Sequence, residues 1–391
     1  MRIVVVLEDL QDNGANRVSL DRAGRWAASG DHVTIFVTGH EDGKIGLEPP
    51  ASCHVQRATS RPRRLREALP RALWTLTCLA RDCDLLVAGT EVGFGLLLAW
   101  VAARLTRRPV AVSVQSRVDL AIAQHVDPWL RPLNRAVLSH VDSAVCVSNG
   151  LVPGLLQLGL PSRAIAVVPN AVSQVEVRRA ATLHPDDPPD GSCQLIVSSG
   201  RLTYQKGFDL LIRGHALALR RGAPRHRLVV LGEGDQREAL LRLAHDLGVE
   251  DSVQFSGFSQ NPHALVSRAS LYVSSSRWEG FSLALAEALA IGTACLAFDC
   301  VAGPSEVLAG GVHGGLVEAG DVSGLASGIR AHLDDPVLLT SKARRAAQTP
   351  LPLFDPERSA SAHRAVLDTL VRRCRPVLHI DLTAGSAGRS R

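Results

Sequence analysis

Glu279 and Glu287 are spaced as Glu-x7-Glu in the stretch Ser276-Arg277-Trp278-Glu279-Gly280-Phe281-Ser282-Leu283-Ala284-Leu285-Ala286-Glu287. A β-branched run, Leu271-Tyr272-Val273-Ser274-Ser275, precedes them, and a glycine-bearing turn leads into an apolar helix. Free backbone N–H groups and the positive end of the helix dipole meet at such a start, which suits an anion. Glu287 falls inside an Ala/Leu-rich helix, where an unpartnered carboxylate is costly to bury. An ionised carboxylate only accepts hydrogen bonds, so sugar or ribose hydroxyls would suit both acids. Taken alone, the stretch also reads as an amphipathic helix with a solvated Glu.

The complementary cations lie upstream, in Gly200-Arg201-Leu202-Thr203-Tyr204-Gln205-Lys206-Gly207-Phe208. This is again a strand end, a glycine-bearing loop and a helix start. Arg201 and Lys206 fall at the carboxyl end of a strand, where open α/β sheets bind ligands. Two cations beside a helix N-terminus suit two adjacent phosphates. Lys44, Lys206 and Lys342 are the chain's only lysines among 43 basic residues, so a lysine in this loop is pointed. Similar turns occur at Gly14-Ala15, Gly232-Glu233-Gly234-Asp235, Gly257-Phe258 and Gly303-Pro304-Ser305-Glu306. Each is weak evidence; the set is informative because all fall at strand-to-helix turns.

Alternating strands and helices must position these loops. Ile3 to Leu7 is a continuous apolar run, as in a parallel sheet buried on both faces, and a helix follows to about Ala28. Further strands are expected at His32 to Thr38, His54 to Gln56, Asp84 to Thr90, Pro109 to Gln115, Ser143 to Ser148 and Ile165 to Pro169. The pattern restarts at Leu195 to Ser199 and recurs to Ala294–Phe298. The expected fold is therefore α/β, with two doubly wound Rossmann-like domains. The expected division is 1–172 for an acceptor-binding domain, 173–193 for a linker and 194–352 for a nucleotide-sugar domain. A C-terminal helical segment, 353–376, and a Gly/Ser/Arg-rich tail, 377–391, complete it.

Composition narrows the function. The chain has 391 residues, 46% apolar and 21% charged, enough for two cores. A net charge of +5 and a pI of about 8.9 suit anionic ligands or an anionic membrane surface. No basic stretch is interleaved with stacking rings, which argues against nucleic acid. The eight cysteines form no Cys-x-x-Cys pair and read as reduced, buried thiols. The N-terminus turns acidic too early for a signal peptide, and the apolar run near Phe94 to Val101 is too short to span a bilayer. A cytoplasmic protein is expected. The segment Arg61 to Trp74 places Leu65, Leu69 and Leu73 at helical spacing among arginines, with Pro70 interrupting it. It reads as a surface helix or as a peripheral contact with an anionic membrane.

The motif set resembles that of retaining glycosyltransferases of the GT-B fold, the family-four group of nucleotide-sugar enzymes. The resemblance rests on Gly200-Arg201-Leu202 with Gln205-Lys206-Gly207, on Glu279 with Glu287, and on Gly303-Pro304-Ser305-Glu306. It covers about Gln194 to Asp335 well and extends more weakly to Asn13-Gly14-Ala15 and Val168-Pro169-Asn170. It implies two domains facing across a cleft, with the last helix packing back toward the first domain. It implies that Arg201 and Lys206 grip the donor diphosphate, that Glu279 binds the donor sugar and that Glu287 binds the ribose. Gly280, Phe281, Ser282 and Leu283 would lie near the phosphates, Phe258 near the base, and Gly14 and Ala15 along the donor. A hexose or N-acetylhexosamine would move from a UDP-sugar to a sugar- or lipid-linked acceptor, with retention. Two positions depart from the pattern: Gln115 and Ser116 stand where many relatives carry a His, and the first loop has one Gly where many have two.

No metal cofactor is expected. The one Asp-x-Asp, Asp82-Cys83-Asp84, precedes a strand at the amino end of the sheet, opposite the ligand edge. A sugar-nucleotide epimerase and a non-catalytic ligand-binding α/β protein are the alternatives. The lack of a dinucleotide fingerprint after the first strand argues against a dehydrogenase.

Overall fold

Runs of Val, Ile and Leu buried on both faces make the strands, as parallel sheets covered by helices require. The structure is a computed structural model and describes residues 1–39, 46–58, 65–183 and 193–374. The first sheet holds β1 (Arg2–Leu7), β2 (His32–Val37), β3 (His54–Arg57), β4 (Leu85–Ala88), β5 (Val110–Val114), β6 (Ser143–Cys146) and β7 (Ile165–Val167). Their order is β3-β2-β1-β4-β5-β6-β7, all parallel. The second sheet holds β8 (Gln194–Ser199), β9 (His226–Leu231), β10 (Val253–Gly257), β11 (Leu271–Ser274), β12 (Cys295–Asp299) and β13 (Gly315–Glu318). Its order is β10-β9-β8-β11-β12-β13, again all parallel.

Both sheets therefore reverse their winding once, between β1 and β4 and between β8 and β11. At such a switch point the loops leave toward opposite faces and open a crevice at the carboxyl ends. The loops carrying Lys206 and Glu279 flank the second switch point directly. The Asp82-Cys83-Asp84 turn lies at the other end, between the helix Leu65–Arg81 and β4, where Asp84 accepts from the Arg2 N–H at 2.8 Å.

The last helix, Pro356–Cys374, returns to the first sheet's helix Gly14–Ala28. Ala360, Leu367 and Leu370 join the core of Ile3, Val5, Leu7 and Trp26. Trp26 Nε1–H donates to the Ala360 carbonyl at 3.0 Å, and Arg364 forks onto the buried Asp31 at 2.6 and 2.8 Å.

Two readings change. Segment 173–193 is not all linker: Gln174–Ala181 is a helix. Ser173 caps it, Glu176 sits in its first turn, and Arg178 and Arg179 sit in its last turn. These are ordinary helix signals that the polar composition disguised. Gln174 and Arg178 tie the helix to the second half through the carbonyls of Ala290 and Ala347. Pro70 lies inside the helix Leu65–Arg81 instead of breaking it. Residues 61–64, 184–192 and the tail 377–391 lie outside the described residues. No helix among the described residues is long and apolar enough to cross a membrane.

Buried histidines give the fold a pH dependence. His215 and His226 meet edge to face at 4.6 Å. Burial, then the charge of His226, pushes the His215 pKa down to about 3, and burial lowers that of His226. Their unfolded-state pKa lies near 6.5, so the unfolded chain binds more protons as pH falls. This stability is complete above about pH 6.5 and lost progressively below it. The melting temperature is expected to fall as pH drops from 7 to 5, and His215→Gln should flatten that slope. An unchanged slope would remove His215 from the account.

Candidate active site

Lys206 ends a short 3-10 turn, Tyr204–Lys206, after β8. Gly207 follows with φ +63°, and a Cβ there would lie 2.1 Å from the Ser275 carbonyl oxygen. Only glycine lets this loop rest on the one after β11. The contact brings Lys206 Nζ to Glu279 Oε1 at 2.7 Å, and the Ser276 hydroxyl donates to the same oxygen at 2.6 Å. Glu279 is only 5% exposed, so both donors answer the cost of burying its charge. Arg201 is exposed and makes no ion pair among the described residues. Its charge still reaches His125 of the first half, whose pKa is lowered by burial and then by Arg201.

The chain then turns through Ser282, which takes a left-handed conformation at φ +70° and starts the helix Leu283–Ile291. A non-glycine residue there costs roughly 1–2 kcal/mol. Ser282 gives no side-chain cap, and the first turn carries no acid. The free N–H groups and the dipole therefore remain open to an anion. Phe281 is buried, and its carbonyl backs onto Gly303, where a Cβ would approach to 2.8 Å.

Glu287 lies further along this helix and away from the Lys206–Glu279 pair. Its Oε2 is 3.4 Å from His263 Nε2, and it lines a cavity of about 520 Å³ with Arg17, Asp21, Gln260, Asn261 and Leu283. Arg17 is held protonated by its hydrogen bond to Asp12, aided by the charge of Glu287. Gly14 sits over Leu283, with room for a Cβ only at 3.1 Å, and Ala15 beside it is half-buried. Phe258 follows Gly257 and is 48% exposed. The structure thus groups Lys206, Glu279 and the start of the helix at Ser282–Leu283. It sets Glu287 beside His263 in the cavity with Arg17, Gly14 over Leu283, and leaves Arg201 and Phe258 open to solvent.

The first sheet contributes residues that the sequence reading did not single out. Buried Glu91 accepts from the Gln115 N–H at 3.1 Å and from the Ser116 hydroxyl, and burial raises its pKa. Gln115 Oε1 accepts from Asn170, whose own Oδ1 accepts from buried Arg22 at 2.8 Å. Gln115 and Ser116 are therefore both tied into the first domain. The Gln115 carbonyl meets Gly280, where a Cβ would fall 1.7 Å from it. Glu306 also crosses the seam, accepting from Asn149 N–H, Asn149 Nδ2 and Gly150 N–H at 3.0–3.2 Å. None of these pairs has a local sequence signal, because the partners lie well apart in the chain, and Gln115–Gly280 and Glu306–Asn149 join opposite halves.

Two sheets of this winding, meeting at their carboxyl ends around a cationic loop and an open helix start, define the GT-B class of fold. The family model "Glycosyl transferases group 1" matches residues 181–349, and "Glycosyl transferase 4-like domain" matches residues 13–171. The chain belongs to the glycosyl transferases group 1 family. It is 30% identical over 239 residues to the lipopolysaccharide core biosynthesis glycosyltransferase LpsE of Rhizobium meliloti, covering 60% of this chain and 67% of that protein. It is 28% identical over 192 residues to a lipopolysaccharide 1,6-galactosyltransferase of Escherichia coli, covering 48% of this chain and 51% of that protein. An exopolysaccharide phosphotransferase of Streptomyces coelicolor matches at 35% over 190 residues, covering 48% of this chain and 19% of that protein. The chain thus spans from 19% to 67% of the length of these relatives. Among solved structures, the Anabaena protein HepE in complex with UDP superposes with a TM-score of 0.76 at 18% identity, covering 94% of this chain and 100% of that one. At that identity the likeness is one of fold.

Gly280→Ala tests the seam. A methyl group cannot fit against the Gln115 carbonyl, so the loop or the two halves must shift. A loss of about 1–3 kcal/mol is expected from such overpacking, read as a lower melting temperature. Gly14→Ala, with its milder 3.1 Å contact, should lose less. Equal melting temperatures for the two variants would contradict the close approach at Gly280.

Proposed function

We propose that the protein is a retaining glycosyltransferase acting on a nucleotide sugar. The donor is a UDP-sugar carrying a hexose or N-acetylhexosamine, and the acceptor is a hydroxyl of a sugar- or lipid-linked molecule. The setting is polysaccharide, lipid-linked glycan or glycolipid biosynthesis on the cytoplasmic side. The observation that carries this reading is the Lys206–Glu279 pair beside the uncapped helix start at Ser282. One group binds phosphate, its partner accepts from sugar hydroxyls, and the helix start lies between them and Glu287. The lipopolysaccharide glycosyltransferases among its relatives, and the UDP and UDP-glucose complexes of HepE, support the donor class.

The bond from the anomeric carbon to the diphosphate oxygen breaks as the acceptor oxygen bonds to that carbon. The acceptor proton passes to the departing phosphate. Charge grows on the diphosphate, and Lys206, Arg201 and the helix N–H groups stabilise it. Glu279 orients the sugar, Glu287 takes the ribose hydroxyls, and Phe258 meets the base through its backbone. Gly14 and Ala15 close the donor site from the first half.

Three outcomes test this. Lys206→Ala should lower kcat a hundredfold or more, about 3–4 kcal/mol, in assays of UDP release over a donor-by-acceptor matrix. Near wild-type turnover would sink the assignment. Glu287→Ala should weaken UDP binding in calorimetry more than it lowers kcat, because ribose contacts count equally in ground and transition states. Activity should survive saturating EDTA, since fixed protein charge replaces a bound cation. Activity lost in EDTA and restored by magnesium or manganese would overturn the metal-free reading.

A further inference from the structure

Arg277 lies between the two ligand-facing loops of the second sheet. Its Nη1 donates to the Tyr204 carbonyl at 2.8 Å. Nη1 and Nη2 also fork onto Asp209 at 2.8 and 2.7 Å. Its guanidinium carbon sits 3.9 Å from the centre of the Tyr204 ring. The Arg277 N–H donates to the Gln205 carbonyl at 2.8 Å, and Gln205 Nε2 answers on the Trp278 carbonyl at 3.1 Å. The Trp278 and Tyr204 rings stand 6.1 Å apart. One side chain therefore grips the chain on both sides of Lys206: Tyr204 before it and Asp209 after it.

We infer that Arg277 is a positioning residue for phosphate recognition, holding Lys206 in register with Glu279 and the helix start at Ser282. The inference rests on the function proposed above. Arg277 acts through Lys206, since its Nη1 and Nη2 groups are turned to Tyr204 and Asp209. Lysine cannot replace it, because an ammonium lacks the planar fork that meets a carbonyl and a carboxylate together. Neither contact neutralises Lys206, whose partner is Glu279. What Arg277 supplies is geometry, and an error of about 1 Å at a charged contact costs orders of magnitude in rate.

The test separates diphosphate recognition from the rest of the nucleotide. UDP and uridine are titrated by calorimetry into wild type, Arg277→Ala, Arg277→Lys, Asp209→Asn, Lys206→Ala and the double variant Lys206→Ala/Arg277→Ala, each well below its melting temperature. Arg277→Ala should weaken UDP binding by roughly tenfold and leave uridine unchanged. Arg277→Lys should stay close to Arg277→Ala, and the surface-accessible Asp209→Asn should shift UDP the same way by a smaller factor. In the Lys206→Ala background, Arg277→Ala should cost nothing further, because the residue acts through the lysine. Unchanged UDP affinity, equal losses for UDP and uridine, or additive losses in the double variant would each overturn the inference. Wild-type protein that fails to bind UDP overturns the proposed function as well. Wild-type binding matched by Arg277→Ala overturns the inference alone.

Discussion

A carboxylate taken out of water must be met by donors, and Glu279 imposes that condition on the second half of the chain. It is met by one ammonium and one hydroxyl, from Lys206 and Ser276. Those groups converge only because β8 and β11 are neighbours although β9 and β10 come between them in sequence. The winding reversal is therefore what lets a buried acid meet a lysine from a distant loop. Gly207 permits the approach, Arg277 holds it, and Ser282 takes a left-handed turn to start the helix beside it.

The seam between the two halves obeys a similar rule of close backbone approach. Gly280 faces the Gln115 carbonyl, and Gly150 faces Ala302, where a Cβ would come within 2.7 Å. Glu306 then satisfies the N–H groups of Asn149 and Gly150 across the gap. The polar groups nearest the site on the first side, Gln115 and Ser116, are held from behind by Glu91 and Asn170. The first half thus meets the seam with backbone and small residues, and it brings Arg17 and Asp21 to the cavity beside Glu287.

Much of this was legible in the sequence because the signals were local. Continuous apolar runs marked β1, β8 and β12. Arg201, Lys206, Glu279 and Glu287 stood out because charge at a strand-to-helix turn is unusual and its spacing is short-range. The helix Gln174–Ala181 was missed because its capping signals sat in a polar, turn-rich stretch. Arg277–Asp209, Glu306–Asn149 and Gln115–Gly280 were not legible at all, since each joins residues far apart in the chain. Their partners are chosen by the topology, and one sequence carries no local mark of that choice.

The helix Pro356–Cys374 has a consequence for biosynthesis. Its Leu367 and Leu370 complete a core begun by Ile3 and Val5, and the Trp26–Ala360 hydrogen bond spans 334 residues. At the usual pace of translation, about 5–20 residues per second, that interval lasts roughly 20–70 s. Until it ends, the outer face of the first sheet waits for its last partner while the second sheet is still being made. The ribosome-bound intermediate therefore exposes Trp26 and its apolar neighbours, a surface that chaperones bind and aggregation exploits. Completion of the first half is a late event, although its strands are synthesised first.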